Sequence, residues 1–224
     1  MKKLSVYFLV LASFIVTSCN EFMEERNTNP NEVETICAKI KGFEYDTDDF
    51  SRTFISIEQD GPHYAWAVTD TIGIFPSEGR QVEYSMASGA GSASAVFTGG
   101  GWGLKSTSTY AAYFPLIGQY YLDKTDIPVH YTGQVQEGNA STAHLGVYDY
   151  LAAPASEVKN GGVSFDFERL GCLVQIQLTM PSPTTIYSIT LKAENEAFAV
   201  KGKVDLTESS PRIYPVASSS EIML

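Results

Sequence analysis

Val163-Ser164-Phe165-Asp166-Phe167-Glu168 alternates apolar and polar residues without a break. Side chains along a strand point alternately to opposite faces, so this stretch predicts a strand with one buried face and one wet face. Residues 170–178 continue the pattern as a second strand, with Gln175 and Gln177 marking its solvent side. Working outward, the same period recurs in short segments: a first strand at 36–40, then Phe54-Ile55-Ser56-Ile57. Trp66 and Val68 lead through Asp70 to Ile72-Gly73-Ile74-Phe75, which stops at Pro76. Ala93, Ala95 and Phe97 form another set, and Tyr110, Ala112 and Phe114 run into Pro115. Later sets are Tyr187, Ile189 and Leu191, then Phe198 and Val200, then Val204 and Leu206. Turn signals separate them, among them Asp60-Gly61-Pro62, Gly99-Gly100-Gly101, Asn160-Gly161-Gly162 and Pro181-Ser182-Pro183. No long window has helical period. Short strands at this spacing predict an all-β fold, a Greek-key β-sandwich.

Bulk composition narrows the function classes. The chain of 224 residues carries 15 Lys+Arg against 26 Asp+Glu, a formal net charge of -11. Nucleic-acid phosphates and anionic bilayer surfaces recruit basic patches, so neither is an expected partner. With 44% apolar and 18% charged residues the chain is no disordered acidic tail.

The first twenty residues speak of location. Met1-Lys2-Lys3 is a short positive start, and residues 6–16 are almost wholly apolar. That run is shorter than the roughly 20 apolar residues of a membrane-spanning helix, and it reads as a signal peptide. Val16-Thr17-Ser18-Cys19 then looks like a bacterial lipobox, in which Cys19 is acylated and becomes the new N-terminus. A plain secretory signal is the alternative. Acyl chains contribute about 0.8 kcal/mol per buried CH₂, enough for several of them to hold a domain on a membrane. The acidic run Glu21, Glu24 and Glu25 resembles a surface-export signal, or is simply a solvated tether.

Chemistry is sparse. His63, His130 and His144 are far apart, and no His-Glu-x-x-His, Cys-x-x-Cys or Gly-x-Ser-x-Gly motif occurs. Gly89-Ala90-Gly91-Ser92-Ala93-Ser94 begins like a dinucleotide loop but lacks the third Gly and enters a strand, so it reads as a loop. Asp46, Asp48 and Asp49 lack the Gly and distal Glu of a calcium loop. Trp102, Tyr120 and Tyr121 lie beside glycines and polar loops, where aromatics stack on sugars, although core packing is the plainer reading. Neither catalysis, cofactor nor metal is expected. Strand phase places Cys172 on a core-facing row with Leu170 and Val174, and Cys37 on the outward row with Lys39 and Lys41, so no disulfide is expected.

Several blocks in order resemble one family. They are Ser51-Arg52-Thr53-Phe54, Trp66-Ala67-Val68-Thr69-Asp70-Thr71-Ile72-Gly73-Ile74-Phe75, the run from Ser88 to Gly99, Tyr110-Ala111-Ala112-Tyr113-Phe114-Pro115, and Val163 to Leu170. Behind a lipoprotein signal, this order resembles the fimbrillin-like surface lipoproteins of Bacteroidetes over residues 53–206, and Trp-x(3)-Asp-x-Ile-Gly-Ile-Phe is the most specific piece. The resemblance implies a transthyretin-like Greek-key β-sandwich as the N-terminal domain of a two-domain fimbrillin. It also implies assembly into fimbriae: a protease cuts after an Arg, the first strand leaves, and a neighbouring subunit donates a strand into the groove. Arg52 is the candidate processing site, with Arg26 second and a plain surface Arg the alternative.

The expected organisation is a signal peptide at 1–18, a lipidated polar tether at 19–32, the sandwich at 33–208, and a linker or start of a second domain at 209–224. That last stretch ends on Glu221-Ile222-Met223-Leu224, which looks like a strand in need of a partner or a chain cut short. The leading expectation is a surface-anchored pilus subunit or accessory anchor on the outer membrane. Its partners would be other fimbrial subunits, the membrane through its lipid, and a host or bacterial surface ligand. The alternative is a non-polymerising outer-membrane lipoprotein that binds glycan or host protein through its loops.

Overall fold

The computed structural model describes residues 32–33, 35–41, 54–58, 61–99, 104–105, 108–118, 123–138 and 141–223. These residues are all-β, with a single 3-10 turn at Leu145–Val147. The first strands are β1 (Glu32–Val33), β2 (Thr35–Ile40), β3 (Phe54–Glu58), β4 (Gly61–Ala65) and β5 (Thr71–Pro76). They are followed by β6 (Val82–Ser88), β7 (Ser94–Gly99), β8 (Leu104–Lys105), β9 (Thr109–Phe114) and β10 (Ile127–His130). The last are β11 (Leu151–Glu157), β12 (Gly162–Arg169), β13 (Thr190–Lys192), β14 (Phe198–Val204), β15 (Ile213–Ser219) and β16 (Glu221–Met223).

Seven strands close into a barrel in the order β11-β12-β2-β7-β6-β5-β9, with β9 returning to β11. A closed ring of seven strands cannot alternate direction all the way round; at least one neighbouring pair must run parallel. That pair is β2 and β12, in register from Thr35↔Gly162 to Ile40↔Phe167. On its other side β2 runs antiparallel to β7, from Ile36↔Phe97 to Lys39↔Ser94. Without β2, the other six strands form an open, wholly antiparallel sheet whose edges are β7 and β12.

Two cores follow from strand alternation. The barrel interior holds Ile36, Ala38, Ile40, Ile72, Ile74, Phe97, Phe114, Val163, Phe165 and Phe167 around Trp66. A second sheet, β10-β14-β15, covers the outer faces of β5, β9 and β11. There Phe75, Tyr113 and Ala152 pack with Ile127, Val129 and Val204. Coverage on both faces explains why β5 and β9 are buried almost end to end. The strand β12 keeps one wet face, with Ser164 and Asp166 exposed, as its alternation requires.

The composition of the β5 block has local causes. Asp70 accepts a hydrogen bond from the Ala67 amide at 2.8 Å and closes the turn that sets Trp66 inside the barrel. A Cβ on Gly73 would lie 2.2 Å from Tyr113 Cε1, so only glycine lets the Tyr113 ring cross β5.

Two expectations fail. Residues 172–189 hold no strand, although 170–178 alternates as a strand should. The cysteines are also reversed: Cys37 is 1% exposed between its cross-strand neighbours Ser164 and Val96, and Cys172 is exposed. Phase places a side chain in the core only where its strand joins a sheet, and the segment of Cys172 joins none. Neither Cys37 nor Cys172 forms a disulfide. Within 209–224, β15 pairs with β14 and β16 pairs with β13.

Candidate functional site

The strand β2 and the slot it occupies form the candidate site. Ile36, Ala38 and Ile40 point into the barrel and are buried. Alternate apolar residues put one side chain per pleat into the core, and both neighbours supply matching rows: Val163, Phe165 and Phe167 from β12, Phe97 and Ala95 from β7. The small Ala38 stands across from Phe165 on one side and Ala95 on the other.

Trp66 fills the barrel behind this slot. Its ring meets Phe97, Phe114 and Phe167 edge to face, with centroids 5.2, 5.3 and 5.5 Å away. Its indole N–H donates to the Ala93 carbonyl at 3.1 Å, which satisfies the one polar atom of a fully buried side chain. The loop from Gly89 to Ser94 seats it: the Gly91 amide donates to the Trp66 carbonyl and the Trp66 amide donates to Ser92. Gly89 has φ +96° and a Cβ there would sit 2.4 Å from the Ser94 carbonyl oxygen. The glycines of this loop thus serve a tight turn against Trp66, in keeping with its reading as a loop.

The C-terminal end of β2 is fastened from outside. The Ile40 amide donates to Ala93 and the Lys41 amide to Phe167. Lys41 Nζ pairs with Glu168 at 2.5 Å, and that hydrogen bond holds the ammonium above its ordinary range. Both side chains are about half exposed, so solvent screens the pair and it contributes little to stability. The chain then leaves the described residues and re-enters at Phe54 in β3; Arg52, the candidate processing residue, lies in that connection outside the described residues. Cys19, the candidate lipidation residue, also lies outside them, as do Arg26, Trp102, Tyr120 and Tyr121.

At the end of β12 is a polar group the sequence did not point to. Arg169 makes a two-pronged ion pair with the buried Asp149 and lays its guanidinium 3.4 Å over the Tyr64 ring. This ties β4 to the end of β12 and to the residues that lead into β11. Tyr64, Asp149 and Arg169 lie 20 or more residues apart with no shared motif, so nothing in the sequence joins them.

His63, His130 and His144 remain apart, on β4, on β10 and beside the 3-10 turn. Among the described residues no group of three His, Cys, Asp or Glu is placed to hold a metal. None of their helices is long and apolar enough to cross a membrane. Comparison with known proteins gave no matching family model, no curated relative and no similar solved structure.

Proposed function

We propose that this chain is a surface-anchored fimbrial (pilus) subunit, or an accessory anchor of such a fibre, that joins its neighbours by β-strand donation and contributes to adhesion. The observation that carries the reading is the position of β2: an N-terminal strand inserted between β7 and β12, antiparallel to the first and parallel to the second. Its removal leaves a continuous antiparallel sheet, and because β2 precedes the other six barrel strands in sequence, one cut behind it detaches it from all of them.

Energetics favour a replacement once the slot opens. Ile36 and Ile40 are fully buried, and each contributes about 1.5–3 kcal/mol on that account. Emptying the slot forfeits both, together with the hydrogen bonds at two strand edges, from a domain whose whole stability is about 5–15 kcal/mol. A neighbour's strand with apolar residues in alternate positions restores both contributions, as in other strand-addition complexes. Cleavage after Arg52 would free β2 from the rest of the barrel while the N-terminal segment stays on the membrane through Cys19. In this reading the barrel and its covering sheet are the two layers of a transthyretin-like sandwich, and the protein faces outward from the outer membrane.

An immunoblot of cells and sheared surface material tests the proposal. Mild heating in SDS should give a ladder that collapses on boiling, and Arg52→Ala should reduce it to a single band. A single cell-associated band from the unaltered protein would refute polymerisation and favour the loop-binding lipoprotein.

A further inference from the structure

We infer that residues 172–180 form an interface with the same residues of a second copy, as an antiparallel strand pair centred on Ile176. The stretch has no regular secondary structure of its own, and among the described residues no backbone–backbone hydrogen bond outside the strand ladders involves 171–188. Its composition is that of a strand: Val174, Ile176 and Leu178 alternate with Gln175, Gln177 and Thr179. Apolar side chains here face water, with Val174, Leu178, Met180 and Ile186 all exposed and Tyr187 92% exposed. A row of unpaired amides and carbonyls beside exposed apolar residues is a template for another strand.

The chain pairs this segment with no strand of its own. The barrel is closed and has no edge to add to. Most other open edges among the described strands are broken by proline, at Pro62 in β4, Pro128 in β10 and Pro215 in β15, or are short and charged, as at Lys192 and Glu221. Proline cannot donate to a ladder.

Charge selects a second copy as the occupant. The chain has a formal net charge of -11, so copies repel through most of their surface. Residues 170–191 carry no charge at all, so two copies meet there without like-charge contact. Symmetry then sets the register. Gly171 and Pro181 bound the usable strand, and its midpoint is Ile176. Antiparallel pairing about that point sets Val174 against Leu178, Gln175 against Gln177 and Ile176 against itself, so apolar meets apolar and amide meets amide. Such an isologous contact closes as a dimer, and antiparallel ladders are the more stable kind. This interface is separate from the β2 slot and does not depend on it.

Cysteine crosslinking in cells expressing the full chain tests it. In a Cys172→Ser background, Ile176→Cys should give a reducible band at twice the monomer mass under mild oxidation. Directly opposed residues have Cα atoms within disulfide reach, about 4.4–6.8 Å. Because Ile176 is half-buried, the exposed glutamines provide an independent pair: Q175C/Q177C should crosslink and either single variant should not. Gln175→Pro should abolish the Ile176→Cys dimer. No dimer from either design would overturn the inference. So would a Cys172 dimer in the unaltered chain as strong as that of Ile176→Cys, since pairing about Ile176 sets Cys172 against Met180 and keeps the two copies of Cys172 apart. Polymerisation by strand donation is read on boiling-sensitive ladders, so the two proposals fail separately.

Discussion

Ala38→Leu should loosen β2 without unfolding the rest of the barrel. Ala38 is buried between Phe165 and Ala95, in an interior already occupied by Trp66, Phe97 and Phe167. Leucine adds three carbons to this packed interior, and overpacking of this kind costs about 1–3 kcal/mol. At about 1.4 kcal/mol per factor of ten, the population in which β2 is detached should rise about 5- to 150-fold. Cys37 reports that population, because it lies on β2 and is 1% exposed. A chain carrying C19S and C172S has Cys37 as its only thiol. Its labelling by an aromatic disulfide reagent in native buffer should accelerate by the same factor, while cooperative unfolding in urea is still seen by circular dichroism. Labelling of Cys37 unchanged by Ala38→Leu would refute the packing argument: the slot would have slack, or β2 would not open on its own.

Trp66→Ala should cost about 3–5 kcal/mol in urea unfolding, since it removes a fully buried ring from three aromatic neighbours, and Trp66→Phe should cost clearly less. Arg169→Met should cost about 3–5 kcal/mol, because Asp149 is left buried and uncompensated, and combining Arg169→Met with Asp149→Leu should recover much of it. Gly73→Ala should lower Tm, by an overpacking cost of about 1–3 kcal/mol, because the new methyl meets the Tyr113 ring. Burial pushes the Tyr84 and Tyr113 hydroxyls up to about 12, whereas the unfolded groups titrate near 10. Between those values the unfolded state has lost protons that the folded state keeps, so stability should fall as pH rises from about 10 to about 12. Absorbance near 295 nm should show these phenols ionising late or together with unfolding.

Much of the barrel is legible in the sequence because its strands obey one local rule. Val163 to Glu168 needs only its own alternation to read as a half-buried strand, and Ala93, Ala95 and Phe97 likewise. What local pattern does not carry is the partner of each strand. Residues 170–178 alternate as well as β12 does, yet they join no sheet, because pairing needs an open edge and the barrel has none to offer. The exposure of Cys172 has the same origin, and the burial of Cys37, on the face of β2 opposite Ile36, Ala38 and Ile40, is not set by the alternation of its own strand. The parallel pairing of β2 with β12 joins the start of the chain to its second half and leaves no local mark. The same holds for Arg169, Asp149 and Tyr64, which distant strands bring together. Trp66 is legible as part of a motif, but its place at the centre of three rings appears only once the barrel closes.

The claim that the β2 slot takes a strand from another molecule is most directly tested by exchange. The chain is cut after Arg52 and incubated with a dye-labelled peptide of residues 32–41. The dye should become bound to the cut chain and resist mild SDS but not boiling, and a peptide with Ile36 and Ile40 changed to Asp should not bind. A cut chain that never takes up the unaltered peptide, while its barrel stays folded, would contradict strand exchange at this slot.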